Sequence, residues 1–95
     1  MKQPKRLTLD VFSTASNAAI VQMSSRHFPG LVLQGDSLSV LYRLSTSIAE
    51  RAKLSADSEL IDETEELRLL LEAYIQQYEA VLEAHGLALP YSRST

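Results

Sequence analysis

Carboxylates spaced one helical turn apart are the side chains in this sequence best suited to chemistry. Glu59 and Glu63, and likewise Asp62 and Glu66, lie four positions apart in a segment without proline or glycine. Side chains at this spacing share a helical face, where two carboxylates can hold a hard cation. An acid-rich helix produces the same spacing without any site. We therefore expect these carboxylates to be solvated and to hold no metal or cofactor.

The two histidines offer a second kind of chemistry. His27 lies between Arg26 and Phe28, where an imidazole could act as a general base or bind phosphate; the structural alternative is a loop histidine beside an anchoring aromatic ring. His85 ends the acidic segment, where a protonated imidazole suits the negative end of a helix. The two residues lack metal-ligand spacing, and no serine lies in a nucleophile motif. The chain is therefore not expected to be an enzyme.

Composition favours one small domain in a reducing compartment. The chain has 95 residues and no cysteine, so disulfides and thiolate chemistry are excluded and a cytoplasmic location is expected. The basic start, Met1–Arg6, precedes no apolar run long enough for a secretory signal or a membrane span. No membrane partner is expected.

Charge is distributed unevenly along the chain. The net charge is −3, yet residues 57–83 hold nine acids and one base, and all other positions hold three acids and eight bases. Such asymmetry fits either a solvated helix face or a docking surface for a basic protein. Because the N-terminal bases Lys2, Lys5 and Arg6 have no interleaved aromatic residue, a nucleic-acid partner is not expected.

Three short strands are predicted before residue 35. Leu7–Phe12 alternates apolar and polar residues, as a half-buried strand does. Ser13–Asn17 suits a turn, so Ala18–Met23 is expected to complete a hairpin, and Gly30–Gln34 reads as a third strand. The residues of the first strand expected to face the core are Leu7, Leu9 and Val11.

Two amphipathic helices are predicted next. Asp36 or Ser37 can cap the first, which should end near Lys53. The apolar face of this helix is predicted to contain Leu38, Leu41, Leu44, Ile48 and Ala52.

The second helix is predicted to be unusually long, from Ser58 to His85. Asp57 or Ser58 can cap its start, and Gly86 can stop it. At 1.5 Å per residue it would measure about 42 Å, more than the roughly 33 Å diameter of a globule of this size, so part of it should need a partner. Its apolar seam comprises Leu60, Leu67, Leu71, Tyr74, Tyr78 and Val81, with Ile61, Ile75 and Leu82 beside it.

This order of elements predicts an α+β fold. We expect a small three-stranded antiparallel sheet followed by two antiparallel helices packed on one face, the second long and acidic. The tail is expected to fold back on the sheet. A single domain over residues 1–95 would contain a β-rich part (1–35), a first helix (36–54), a long acidic helix (57–86) and a tail (87–95).

Three segments resemble a small bacterial family described only as a domain of unknown function. They are Asn17–Val21, Arg26–Leu38 and Ala84–Tyr91, read together. The resemblance covers most of the chain. It implies a stand-alone bacterial protein of this size and no particular activity.

A second, local resemblance is to HicB-like antitoxins. Phe28–Gly30 leading through Gln34–Leu38 into a helix is similar to their strand-to-helix passage. This resemblance implies a partner among small toxin ribonucleases. The chain departs from the pattern at Ser39 and Val40, where acids would follow, and an acidic helix replaces the next strand and the DNA-binding tail.

The function expected from the sequence is protein binding without catalysis. The simplest partner is a second copy in a homodimer; the alternative is an antitoxin- or immunity-like inhibitor of a basic nuclease or toxin, since an acidic face complements a basic site. The contact is predicted on the long helix. Its residues are Leu67, Leu71, Tyr74 and Tyr78, with the acids Glu66, Glu72 and Glu79.

Overall fold

The computed structural model describes residues 3–92, which form two compact units, residues 3–34 and residues 35–92. The first unit is a three-stranded antiparallel sheet and the second contains two helices. The α+β class predicted from the sequence is therefore confirmed. The single domain, and the packing of both helices on one sheet face, stay predictions.

The sheet contains β1 (Asp10–Ser13), β2 (Ala18–Gln22) and β3 (Gly30–Leu33) in the order β1-β2-β3. Val21, near the end of the central strand, pairs with Val11 on one side and Gly30 on the other. It is the buried apolar residue of this unit.

The first strand begins later than predicted, and its expected core residues do not face a core. Leu7 and Leu9 precede β1, and Leu7 and Val11 are 67 % and 56 % exposed. The cause lies in the partner strand: β2 ends at Gln22, which pairs with Asp10, and the chain then turns. Residues before Asp10 consequently have no strand to pair with. A register shift between Val11 and Ser13 also interrupts the alternation.

The second unit contains α1 (Gly35–Ala52) and α2 (Ser58–Ala84), which we call the helical hairpin. At 1.5 Å per residue, the 18 residues of α1 span about 27 Å and the 27 residues of α2 about 40 Å. Asp57 caps α2, since its carboxylate accepts a hydrogen bond from the Leu60 amide at 3.1 Å. This confirms one of the two predicted caps.

The C-terminal end of α2 is a Schellman motif, as Gly86 predicts. Gly86 has φ 68°, a left-handed conformation that costs glycine little. The Leu87 amide donates to the Leu82 carbonyl at 2.9 Å, and the Gly86 amide donates to the Glu83 carbonyl at 3.1 Å. These bonds satisfy carbonyls that the helix end would otherwise leave unpaired.

Candidate protein-binding surface

Small side chains bring α1 and α2 together. The buried residues of α1 include Ser45, Ala49 and Ala52, and those of α2 are Thr64 and Ile75. The buried hydroxyls of Ser45 and Thr64 donate to backbone carbonyls of the preceding turn at 2.7 and 2.8 Å. We call these five buried residues the contact line. Both of its hydroxyl groups are hydrogen-bonded, and its small side chains let the two backbones approach closely.

A close approach occurs at the start of α1, where Gly35 faces the ring of Tyr78. A Cβ atom on Gly35 would lie 2.6 Å from Tyr78 Cε2 and nearer still to Cζ and the hydroxyl oxygen. Gly35 is buried. Only a residue without a side chain fits here unless the tyrosine moves.

A polar network lies along one side of the hairpin. The Tyr42 hydroxyl of α1 donates to Glu72 at 3.1 Å, and Arg68 donates to the same carboxylate at 2.6 Å. Arg68 also binds Glu65, with Nε 3.0 Å from Oε2. The hydrogen bonds from Arg68 lower the pKa of Glu65, and the two carboxylates raise the pKa of Arg68. Glu65 and Arg68 are thus both held ionised around neutral pH.

The tail continues this side of the hairpin. The Tyr91 ring stacks on the Tyr78 ring with centroids 6.5 Å apart, and its hydroxyl donates to Glu79 at 2.8 Å. The tail, predicted to fold back on the sheet, therefore places Tyr91 on α2. An open groove of about 740 Å³ runs along the same side, lined by both helices and the tail. We call this side the polar side.

The opposite side of the hairpin is apolar. On α1, the exposed large apolar side chains lie on the flank opposite to Tyr42. On α2, residues follow one another at about 100° around the helix axis, and a stripe of exposed apolar side chains likewise lies on the flank opposite to Glu72. We call these eight residues, each 42–60 % exposed, the apolar face. They are Leu41, Leu44, Ile48, Leu60, Leu67, Leu70, Tyr74 and Val81.

The four apolar and aromatic residues of the predicted contact are divided between two places. Leu67 and Tyr74 lie on the apolar face. Leu71 and Tyr78 are half-buried beside the contact line between the helices.

The three predicted acids are likewise separated. Glu66 is exposed near the outer edge of α2. Glu72 and Glu79 lie on the polar side, where they accept hydrogen bonds from Tyr42 and Tyr91. These two acids therefore belong to the hairpin's own packing.

Sequence reasoning did not assign Leu41, Leu44 and Ile48 to the contact surface, although it placed them on the apolar face of the first helix. It also left Leu70 out of the α2 seam. Their apolar character was the available signal. What the sequence lacked was the position of the α1–α2 contact, which turns Leu41, Leu44 and Ile48 away from α2.

The other candidate chemistry is not assembled into a site. His27 makes an edge-to-face contact with Phe28, with ring centroids 4.6 Å apart, and both residues are exposed. The carboxylates of Glu59, Asp62 and Glu63 are exposed on α2. Within residues 3–92, no three His, Cys, Asp or Glu side chains are grouped so that they could hold a metal ion.

A protein-family model matches most of this chain. A family model described as a family of unknown function, DUF6959, matches residues 4–91. The chain belongs to this family. In the DUF6959 chain the matched region contains all three strands and both helices, and hence the whole apolar face.

The DUF6959 chain has no significant match among curated proteins or solved structures. In the part of the chain that the structure describes, no helix is both long enough and apolar enough to cross a membrane.

Proposed function

We propose that this chain is a non-enzymatic protein-binding domain that forms a homodimer through the apolar face of its helical hairpin. The observation that carries this proposal is the contiguity of the face: eight large apolar side chains, each 42–60 % exposed, lie on one side of two packed helices. Exposed apolar patches of this kind mark interaction sites in soluble proteins. On the polar side, in contrast, Arg68 pairs with Glu65 and Glu72, and Tyr42 also binds Glu72.

The size of the apolar face suits a dimer. With α1 spanning about 27 Å and two helices spanning about 20 Å in width, the flat projection of the face is on the order of 500 Å² per copy, and the accessible surface is larger because it follows the relief of the side chains. A stable protein interface buries roughly 800 Å² on each partner. A second copy supplies the same apolar face, and an isologous contact between identical patches is the commonest way for a single chain to assemble.

The central aromatic side chain also supports binding. Tyr74 is 60 % exposed in the middle of the face, and tyrosine combines a large apolar body with a hydrogen-bonding tip that suits interface anchors. We extend the proposal to a cytoplasmic location, because a chain without cysteine suits a reducing compartment, and to a bacterial source, which the resemblance of the three segments implies.

Light scattering on a size-exclusion column tests the homodimer. The wild-type chain, of 10.6 kDa, should give twice that mass over a range of concentrations. Leu67→Gln should shift the equilibrium toward monomer because it places an amide on the face. Leu69→Gln is the matched control: Leu69 is 49 % exposed against 47 % for Leu67, but it lies on the opposite flank of α2.

Two outcomes would overturn the homodimer. A wild-type chain that stays monomeric at every concentration would leave the face to another occupant, such as the chain's own sheet. Equal dissociation of the Leu67→Gln and Leu69→Gln variants would show that the contact lies elsewhere. Circular dichroism of both variants verifies that each retains its helices.

A second proposal is inhibition of a basic toxin, which the exposed acids of α2 favour. Glu59, Asp62, Glu63 and Glu66 cluster in its first turns, where they give a negative surface. Such a surface can occupy the cationic site of a small ribonuclease. The test is an RNA-cleavage assay with small basic ribonucleases: inhibition should fall with added salt and with a Glu59/Glu63/Glu66→Gln variant.

A further inference from the structure

We infer that the two copies join with their helix-connecting loops at the same end, so that α1 of each copy lies along α2 of the other and Arg51 faces the acids at the start of the second copy's α2. This inference rests on the proposed homodimer and adds its orientation. It follows from the register of the hairpin and from the charges at the edges of the apolar face.

Two contacts give the register of the hairpin. Tyr42 reaches Glu72, and Gly35 meets Tyr78, so residues whose numbers add to about 113 stand at the same height. Arg51 is consequently level with Glu63. Among residues 3–92, no ion pair joins these two side chains.

These edge charges have no partners within the hairpin. Among residues 3–92, Arg51 makes no ion pair, and neither do Glu59, Glu63 and Glu66. All four are exposed. They therefore border the apolar face as one cation on the α1 edge and three anions on the α2 edge, near the loop that joins the helices.

Two hairpins whose helices lie along one another can meet face to face in two symmetric ways. If the two-fold axis runs parallel to the helices, α1 opposes α2 of the other copy at the same height. Arg51 then faces Glu63, flanked by Glu59 and Glu66, twice in the dimer. Like charges are far apart, and each edge charge meets the opposite sign.

If the two-fold axis instead runs across the helices, α2 opposes α2 in reverse direction. The acids at the start of one α2 then face the second half of the other, around Gln77 and Val81. Arg51 faces the first turns of the other α1, near Ser37. Arg51 meets Asp36 there, the exposed acid next to Ser37, but the three acids of α2 meet no cation, and carboxylates brought against apolar side chains lose hydration without compensation. Charge complementarity therefore favours the parallel axis.

The orientation is tested first by charge reversal, with dissociation constants from sedimentation equilibrium. Arg51→Glu should weaken the dimer about tenfold, because two favourable contacts become repulsive. The double variant Arg51→Glu with Glu63→Lys should return to within about threefold of wild type. Added salt should weaken the wild-type dimer and affect Arg51→Glu in the opposite direction.

Crosslinking gives a second measurement that leaves these charges intact. The chain has no cysteine, so single cysteines can be introduced at Val40 and Ala73, which the register places at the same height on the two outer edges. Under mild oxidation, a mixture of Val40→Cys and Ala73→Cys chains should form the mixed disulfide in preference to either homodisulfide.

The outcomes separate the orientation from the dimer itself. A dimer that forms homodisulfides and no mixed product, or in which Arg51→Glu binds as tightly as wild type, overturns the orientation and retains the homodimer. A chain that is monomeric by light scattering overturns both. Restored affinity in the double variant together with the mixed disulfide supports the orientation, since general destabilisation would produce neither.

Discussion

Replacing Gly35 with alanine would place a methyl group in space that the Tyr78 ring occupies. The added Cβ would lie 2.6 Å from Cε2, far inside van der Waals contact, so either the ring or the start of α1 must move. Overpacking of this kind costs about 1–3 kcal/mol. Alanine returns part of that through its higher helix propensity, at most about 1 kcal/mol and less at the first helical position. The net loss should be about 1–2 kcal/mol.

Thermal unfolding followed by circular dichroism at one fixed protein concentration measures this loss. With about 4–8 °C per kcal/mol for a domain of this size, Gly35→Ala should lower Tm by roughly 5–15 °C. Gly30→Ala is the matched control, because no atom lies within 4 Å of its added Cβ. We expect that variant to stay within about 0.5 kcal/mol of wild type.

A double-mutant cycle identifies the clash as the cause. In a Tyr78→Ala background the ring is gone, so Gly35→Ala should cost nothing or stabilise slightly through helix propensity. If Gly35→Ala matches wild type in Tm, or costs as much without the Tyr78 ring as with it, the close approach is not what requires glycine at this position.

Two further predictions concern the ends and the polar side of α2. Asp57→Ala removes the cap on the Leu60 amide and should cost about 1 kcal/mol in urea unfolding, whereas Asp57→Asn should cost much less; equal loss in both would refute the capping role. Because Arg68 lowers the pKa of Glu65, this carboxylate should stabilise the folded hairpin above its ordinary pKa and lose that contribution as pH falls through the lowered folded value. Stability measured from pH 7 to pH 3 should therefore decline less steeply in Arg68→Gln than in wild type, and identical slopes would contradict the assignment.

The helices were predictable from the sequence because their signals are local. Asp57 and Gly86 mark the two ends of α2 through capping chemistry that depends on a few neighbouring residues. The extent of β1 was not predictable in this way. It depends on where β2 ends, at Gln22, and no pattern within Leu7–Phe12 contains that information.

The candidate surface was predictable only in part, for a related reason. Apolar spacing identified one broad seam on α2, but it could not show which half of that seam α1 would cover. The answer depends on small residues of α1, such as Ser45 and Ala49, whose hydrophobic signal is weak although they make the close contact. Leu71 and Tyr78 are consequently half-buried, and Leu67 and Tyr74 lie on the exposed half of the seam.

The division of the hairpin into two sides has a consequence for how the family can diversify. Cohesion of the hairpin relies on the contact line and on Tyr42, Arg68 and Tyr91 of the polar side, whereas none of these residues lies on the apolar face. Substitutions on the apolar face can thus change the chemistry of this surface while the hairpin keeps its fold. The stability of the hairpin and the chemistry of the apolar face can therefore evolve separately.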